Sequence, residues 1–198
     1  MGLIAQTKTM FKSVLHWVAR TRPYLFVVRD ILPYARISWG HTRLTGKKYR
    51  EGYKLLKPGH IILSTDEERI SSFLTPGDLD HAAICVGVGS DYEIGEMTHL
   101  GYTQSLFFDI CHTSDRVVIL DCTDWDDEYK QRVIEKCRSL VGMQYDFQFE
   151  VGDTVLYCSE LVFCCDIEKR LEMVFGDYIL PEDIYKAKNV KVIWDSDA

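Results

Sequence analysis

The chain has 198 residues, of which 46% are hydrophobic and 27% charged, and carries a formal net charge of −7. That length suits one domain with a sizeable core, and the composition is ordinary globular usage without a biased tract. The acidic balance offers no global field for a phosphate backbone, so nucleic acid is excluded as the expected partner, and the chain is expected to fold without one.

In chain order, residues 3–19 read as an amphipathic helix, because Phe11, Val14, Leu15 and Val18 recur at helical spacing with Lys8 and Lys12 on the other side. Few basic residues line its polar face, which favours packing against the body of the fold over a membrane surface. Arg22-Pro23 ends it, and a second helix is expected from Tyr24 to Ala35, stopped near Leu32-Pro33. The segment Ser38 to Tyr53, with Arg43, Lys47, Lys48 and Arg50, reads as a basic surface connector. At Pro58-Gly59 the chain changes character, and Ile61-Ile62-Leu63-Ser64 is a short apolar strand after a turn. Residues 1–56 are therefore expected to form an N-terminal helical extension and residues 57–198 the main domain.

Beyond a stretch holding Ile70, Phe73 and Leu74 and a turn at Pro76-Gly77, strands are expected over His81 to Gly87, Tyr92 to Met97 and Val117 to Asp121. Together they make an antiparallel meander, with Leu106 to Cys111 fitting neither state clearly. Asp126 or Asp127 can cap a helix running to about Leu140, with Tyr129, Val133, Ile134, Cys137 and Leu140 spaced for a buried face and Gly142 as its stop. A last helix starts near Cys158 and turns Leu161, Val162 and Cys165 inward. The fold class expected is α+β, an antiparallel sheet or half-barrel packed against helices.

Seven cysteines (Cys85, Cys111, Cys122, Cys137, Cys158, Cys164 and Cys165) occur without a CxxC pair, and an odd count leaves one over in any disulfide framework. Reduced thiols in a reducing compartment are expected, with no metal or organic cofactor, since no ligand-pair spacing is present. The apolar residues near the N-terminus are broken by Lys8, Lys12, His16 and Arg20 before they reach the length of a secretory signal. No stretch reaches the ~18 uninterrupted apolar residues of a membrane span, and Gln6 stands where a myristoylation signal prefers Ser or Thr. The expectation is a soluble, cytoplasmic protein.

One segment carries the chemistry: Gly142-Met-Gln-Tyr145-Asp146-Phe-Gln-Phe149, followed by Tyr157-Cys158-Ser159-Glu160-Leu161-Val162. It places a thiol at a helix start, where free backbone N–H groups and the positive end of the dipole favour a thiolate and can hold an oxyanion. The plain alternative for any cysteine ahead of an apolar helical run is a small buried hydrophobe, and the other six take it. A thiol acting on a carbonyl needs a base. Of six histidines, His81 is the candidate, because it opens an apolar strand directly after the turn-rich loop Thr75 to Asp80; His16, His41, His60, His99 and His112 lie on a helix or beside turns. A carboxylate usually orients such a histidine. Glu96 shares a strand face with Tyr92 and Ile94, while Glu93 falls on the opposite face. Glu96 is the better third member if the Ile94 face looks inward, and Glu160 is a weaker rival.

In order, Gly59-His-Ile-Ile-Leu, Asp80-His81-Ala-Ala-Ile-Cys-Val-Gly, Glu96, Gly142-x-x-Tyr-Asp-Phe-x-Phe and Tyr157-Cys-Ser-Glu-Leu resemble the YiiX-type branch of the NlpC superfamily over roughly residues 57 to 165. The resemblance implies a circularly permuted papain-like fold, with the histidine strand ahead of the cysteine helix. It implies Cys158 as nucleophile, His81 as base and Glu96 as the polar third member of a thiol amidase or peptidase. The implied substrate is a peptide or amide-containing small molecule such as a peptidoglycan fragment, with γ-D-glutamyl or diamino-acid bonds. His60 stands where the family usually has aspartate, and Ser90-Asp91 lengthen the turn before Tyr92. Two other functions stay open: a lipid acyltransferase, thioesterase or esterase using the same residues, as in the lecithin:retinol acyltransferase-like branch, and a non-catalytic binding or structural module.

Overall fold

The run Ile61–Thr65 (β1) is buried at every position, as a continuous apolar segment must be when both of its faces are covered. The computed structural model describes residues 21–31, 44, 46–66, 77–89, 91–148, 152 and 154–198. The further strands are β2 (His81–Val88), β3 (Tyr92–Thr98), β4 (Gly101–Leu106), β5 (Arg116–Cys122) and β6 (Val190–Asp195). They form one six-stranded sheet of order β4-β3-β2-β1-β5-β6, antiparallel throughout. β1 to β4 follow one another as a meander. β5 does not continue it beside β4, because the chain crosses back and pairs β5 with β1 on the far side.

Period-two alternation divides the sheet between two apolar layers. Ile61, Leu63, Ile84 and Val86 meet Tyr129, Val133 and Cys137 of α4 (Asp127–Arg138) and Leu161, Val162 and Cys165 of α5 (Cys158–Cys165). Ile62, Ala83, Cys85, Ile94 and Ile119 meet Leu44, Leu56 and the buried side of α3 (Phe107–Thr113), with Tyr49 and Tyr53 of α2 (Lys47–Leu55) packed against them. Asp126 caps α4 by accepting the Tyr129 N–H at 2.8 Å. A β-carbon on Gly95 would stand 2.6 Å from Cys137 Sγ, so the glycine lets α4 lie close to the sheet. Among the described residues no helix is long and apolar enough to cross a membrane.

Several expectations are corrected. The basic stretch read as a surface connector contains α2, because Tyr49 and Tyr53 at i, i+4 bury one side and leave the basic residues outside; Tyr49 stacks on Phe107 and Tyr53 meets Tyr92 edge-on. Leu106 to Cys111 splits between the end of β4 and α3. The helix expected from Tyr24 is described as α1 (Arg22–Phe26) running into a π-helical turn at Val27–Ile31, with Pro23 in the first turn where its missing N–H is no loss; its expected end near Leu32-Pro33 and the residues to Ala35 lie outside the described residues. α4 ends at Arg138, and Gly142 (φ +90°) lies in the turn beyond. The last short helix, α6 (Pro181–Tyr185), and strands β4 and β6 were not anticipated. The helix expected over 3–19, the stretch 70–74, His16, His41 and Phe149 lie outside the described residues.

Candidate active site

Tyr157 is extended (φ −101°, ψ 175°) and the chain turns helical at Cys158. Glu160, in the first turn, takes the Tyr157 N–H on one carboxylate oxygen at 3.4 Å and the Gly152 N–H on the other at 2.6 Å. It is fully buried, and burial pushes its carboxyl up to about 7 against the pull of those two N–H groups, the charge of Asp146 adding to the rise. On either side of Cys158, the Tyr157 hydroxyl accepts the Ile179 N–H at 2.8 Å and the Ser159 hydroxyl donates to the Ile179 carbonyl at 2.7 Å. Both neighbours of the thiol thus grip one residue. Cys158 is 8% exposed, and its Sγ lies 3.8 Å from the Asp80 carbonyl oxygen, at the residue that leads into β2.

His81 is the first residue of β2. The register sets Ala83 opposite Glu96, which makes His81 and Glu96 diagonal neighbours on one face, and His81 Nε2 meets Glu96 Oε2 at 2.7 Å. Across the next strand pair, Thr103 stands opposite Glu96 and Ser105 opposite Ile94. Ser105 donates its hydroxyl to Glu96 Oε1. Cys158 lies near enough to His81 for its thiol to act on the charge of the ring. Burial by itself pulls the imidazole down, but the hydrogen bonds and charges of Cys158 and Glu96 outweigh it and raise His81 from 6.5 to about 10.

Cys158, His81 and Glu96 therefore converge. Glu93 does not join them: it lies across from Arg138 of α4 at 3.4 Å, as its odd position on β3 requires. Glu160 serves the helix start instead. His60 is buried before β1, and His112 stacks on Phe108 at 5.7 Å. Phe107 is in the core and Phe108 is exposed. The loop leading to Cys158 also lines a cavity of about 410 Å³, through Tyr145, Asp146, Phe147, Thr154 and Val155 together with Leu25 of α1.

Sequence reading missed Ser105, Thr103 and the Ile179 grip. The alternating Thr103-x-Ser105 after the turn at Gly101 was the available signal for the first two. Gly101 holds φ +97°, and a β-carbon there would stand 2.4 Å from the Met143 carbonyl oxygen, so only glycine lets that turn meet the segment before Tyr145. Nothing in the local sequence points to Ile179.

The family described as permuted papain-like amidase enzyme, YaeF/YiiX, C92 family, matches residues 55–195. Among solved structures, metalloprotein YiiX from Escherichia coli O157:H7 superposes with a TM-score of 0.61 at 15% identity, over 70% of this chain and 96% of that one. At that identity the likeness is one of fold. No curated protein sequence matches the chain.

Proposed function

The chain belongs to the permuted papain-like amidase family YaeF/YiiX, and from that premise we propose that it is a cysteine amidase with Cys158 as nucleophile, His81 as base and Glu96 as the residue that orients the imidazole. The observation that carries this is His81 held between a buried carboxylate and a thiol at a helix start. Glu96 occupies Nε2, which leaves Nδ1 for the thiol.

In the first step His81 takes the Cys158 proton, and thiolate and imidazolium form the reacting pair. The thiolate adds to the amide carbonyl carbon, and backbone N–H groups in the first turn of α5, that of Cys158 included, face the oxygen where negative charge collects. His81 passes its proton to the amide nitrogen as the C–N bond breaks, which releases the amine and leaves a thioester on Cys158. Water then attacks the thioester, His81 takes a proton from it, and the C–S bond breaks to free the carboxylic acid and restore the ion pair. Positioned proton transfer of this kind contributes roughly 10²–10⁴-fold.

The related structure is described as a metalloprotein. Among the described residues no group of three or more His, Cys, Asp or Glu side chains is placed to hold a metal ion, and each step above runs on the chain's own side chains. For substrate we propose a peptide or other amide-containing small molecule, with cell-wall peptides the first to try. Transfer of a lipid acyl group would use the same three residues with an alcohol or amine in place of water, and product analysis separates the two.

The test is iodoacetamide labelling at pH 6 to 7, mapped by mass spectrometry, on the wild type and His81→Ala. Cys158 should alkylate at least about tenfold faster than the other thiols and lose that lead without His81. Equal reactivity of all seven would sink the pairing.

A further inference from the structure

We propose that Ser105 is a positioning residue of this site, its hydroxyl holding Glu96 so that one carboxylate oxygen is kept for His81. The inference rests on the assignment of Cys158, His81 and Glu96 given above. Ser105 lies on the edge strand β4 and donates to Glu96 Oε1, while Oε2 of the same carboxylate meets His81 Nε2 at 2.7 Å. The Glu96 side chain is only 8% exposed, so bulk water does little to solvate the oxygen that His81 does not use, and an unsolvated carboxylate oxygen is costly. A glutamate also has three torsions to fix, and one partner on each oxygen fixes them where one partner alone leaves the carboxylate free to turn.

A second feature points the same way. Thr103 stands directly opposite Glu96 in the register, and among the described residues its buried Oγ1 has no hydrogen-bond partner. Alternate positions of β4 thus turn two hydroxyls toward the face that carries Glu96, one engaged and one unspent. The second is a replacement donor when the first is lost, so removal of Ser105 alone should do less than removal of both.

The experiment follows alkylation of Cys158 by iodoacetamide from pH 5.5 to 9.5 in the full chain, for the wild type, Ser105→Ala, Ser105→Thr and the Ser105→Ala/Thr103→Val pair. His81→Ala and Glu96→Gln serve as references, melting is recorded for each, and NMR follows the His81 imidazole. Ser105→Ala should slow labelling roughly tenfold at pH 6 to 7, the scale of one lost hydrogen bond to a charged group. The loss should vanish above about pH 9, where a thiol ionises unaided. Ser105→Thr should restore the rate, the double variant should be slower still, and His81 should titrate lower in Ser105→Ala than in the wild type. Wild-type labelling in Ser105→Ala, with Glu96→Gln and His81→Ala still slow, would overturn the role of Ser105 and leave the three-residue site standing. A uniform loss at every pH with a lowered melting point would overturn it too, as a fold effect. If neither reference variant slows labelling, the site itself fails and Ser105 with it.

Discussion

His60 and His81 sit at opposite ends of the β1–β2 pair, since His60 precedes β1 and His81 pairs with Ser64 near its close. The His60 side chain is 4% exposed and that of His81 21%. At His60, Nδ1 accepts the Lys57 N–H at 3.3 Å, and Nε2 is 3.9 Å from an Asp121 oxygen that Lys130 already holds at 2.6 Å. Burial dominates there and lowers the imidazole to about 4; Asp121 pulls upward, and Lys130 and Lys57 add to the lowering. At His81 burial acts in the same direction but is overcome by Cys158 and by Glu96, whose carboxylate meets the ring at 2.7 Å rather than the 3.9 Å that separates His60 from Asp121. Whether a buried histidine is charged depends on how closely a carboxylate meets it and on which cations stand beside that carboxylate or the ring.

The contrast is broken most strongly at catalysis. His81→Ala should lower amide hydrolysis by roughly 10²–10⁴-fold, whereas His60→Gln should leave the labelling rate of Cys158 unchanged in protein that still melts cooperatively. Comparable losses in both variants would mean that the two histidines do not differ as described.

A smaller effect is expected from Glu96→Gln, which keeps the shape and removes the charge. Alkylation of Cys158 at pH 7 should fall roughly tenfold or more, and the His81 imidazole should titrate lower by NMR. An unshifted titration would show that Glu96 is not what holds the proton.

The smallest effects are on stability against pH, where the two rings pull on opposite sides. Folding raises His81 above its unfolded value of 6.5, so its contribution is whole below about 6.5 and is lost as the pH climbs toward 10. Folding lowers His60, so its neutral form contributes above 6.5 and that contribution is lost as the pH falls through about 4. Relative to the wild type, Glu96→Gln should therefore flatten the fall in melting temperature between pH 7 and 10. Lys130→Met, by freeing Asp121 for His60, should flatten the fall between pH 6.5 and 4. An unchanged acid slope in Lys130→Met would remove Asp121 from the account.

The interior strands β1, β2, β3 and β5 and the helices α4 and α5 were legible in the sequence because their apolar spacing is local and strong. The edge strands were not: Tyr102-Thr-Gln-Ser in β4 and Val190-Lys-Val-Ile-Trp-Asp in β6 mix polar and apolar residues, as half-exposed edges do. α2 was hidden for a related reason, since its basic residues outnumber the two tyrosines that anchor it.

By itself the sequence determined which groups were available: a thiol at a helix start, a histidine opening a strand, and Glu96 rather than Glu93 on the face shared with Ile94. Parity along a strand decides a face, so that much is local. Register, distance and competition are not. Only the tertiary structure decided that Ala83 pairs with Glu96, that Ser105 reaches the same carboxylate, and that Lys130 holds Asp121 at 2.6 Å beside His60. A hydrogen bond needs its two atoms within about 3 Å, and positions as far apart in the chain as Asp80 and Cys158 meet only when the sheet and helix that carry them have packed.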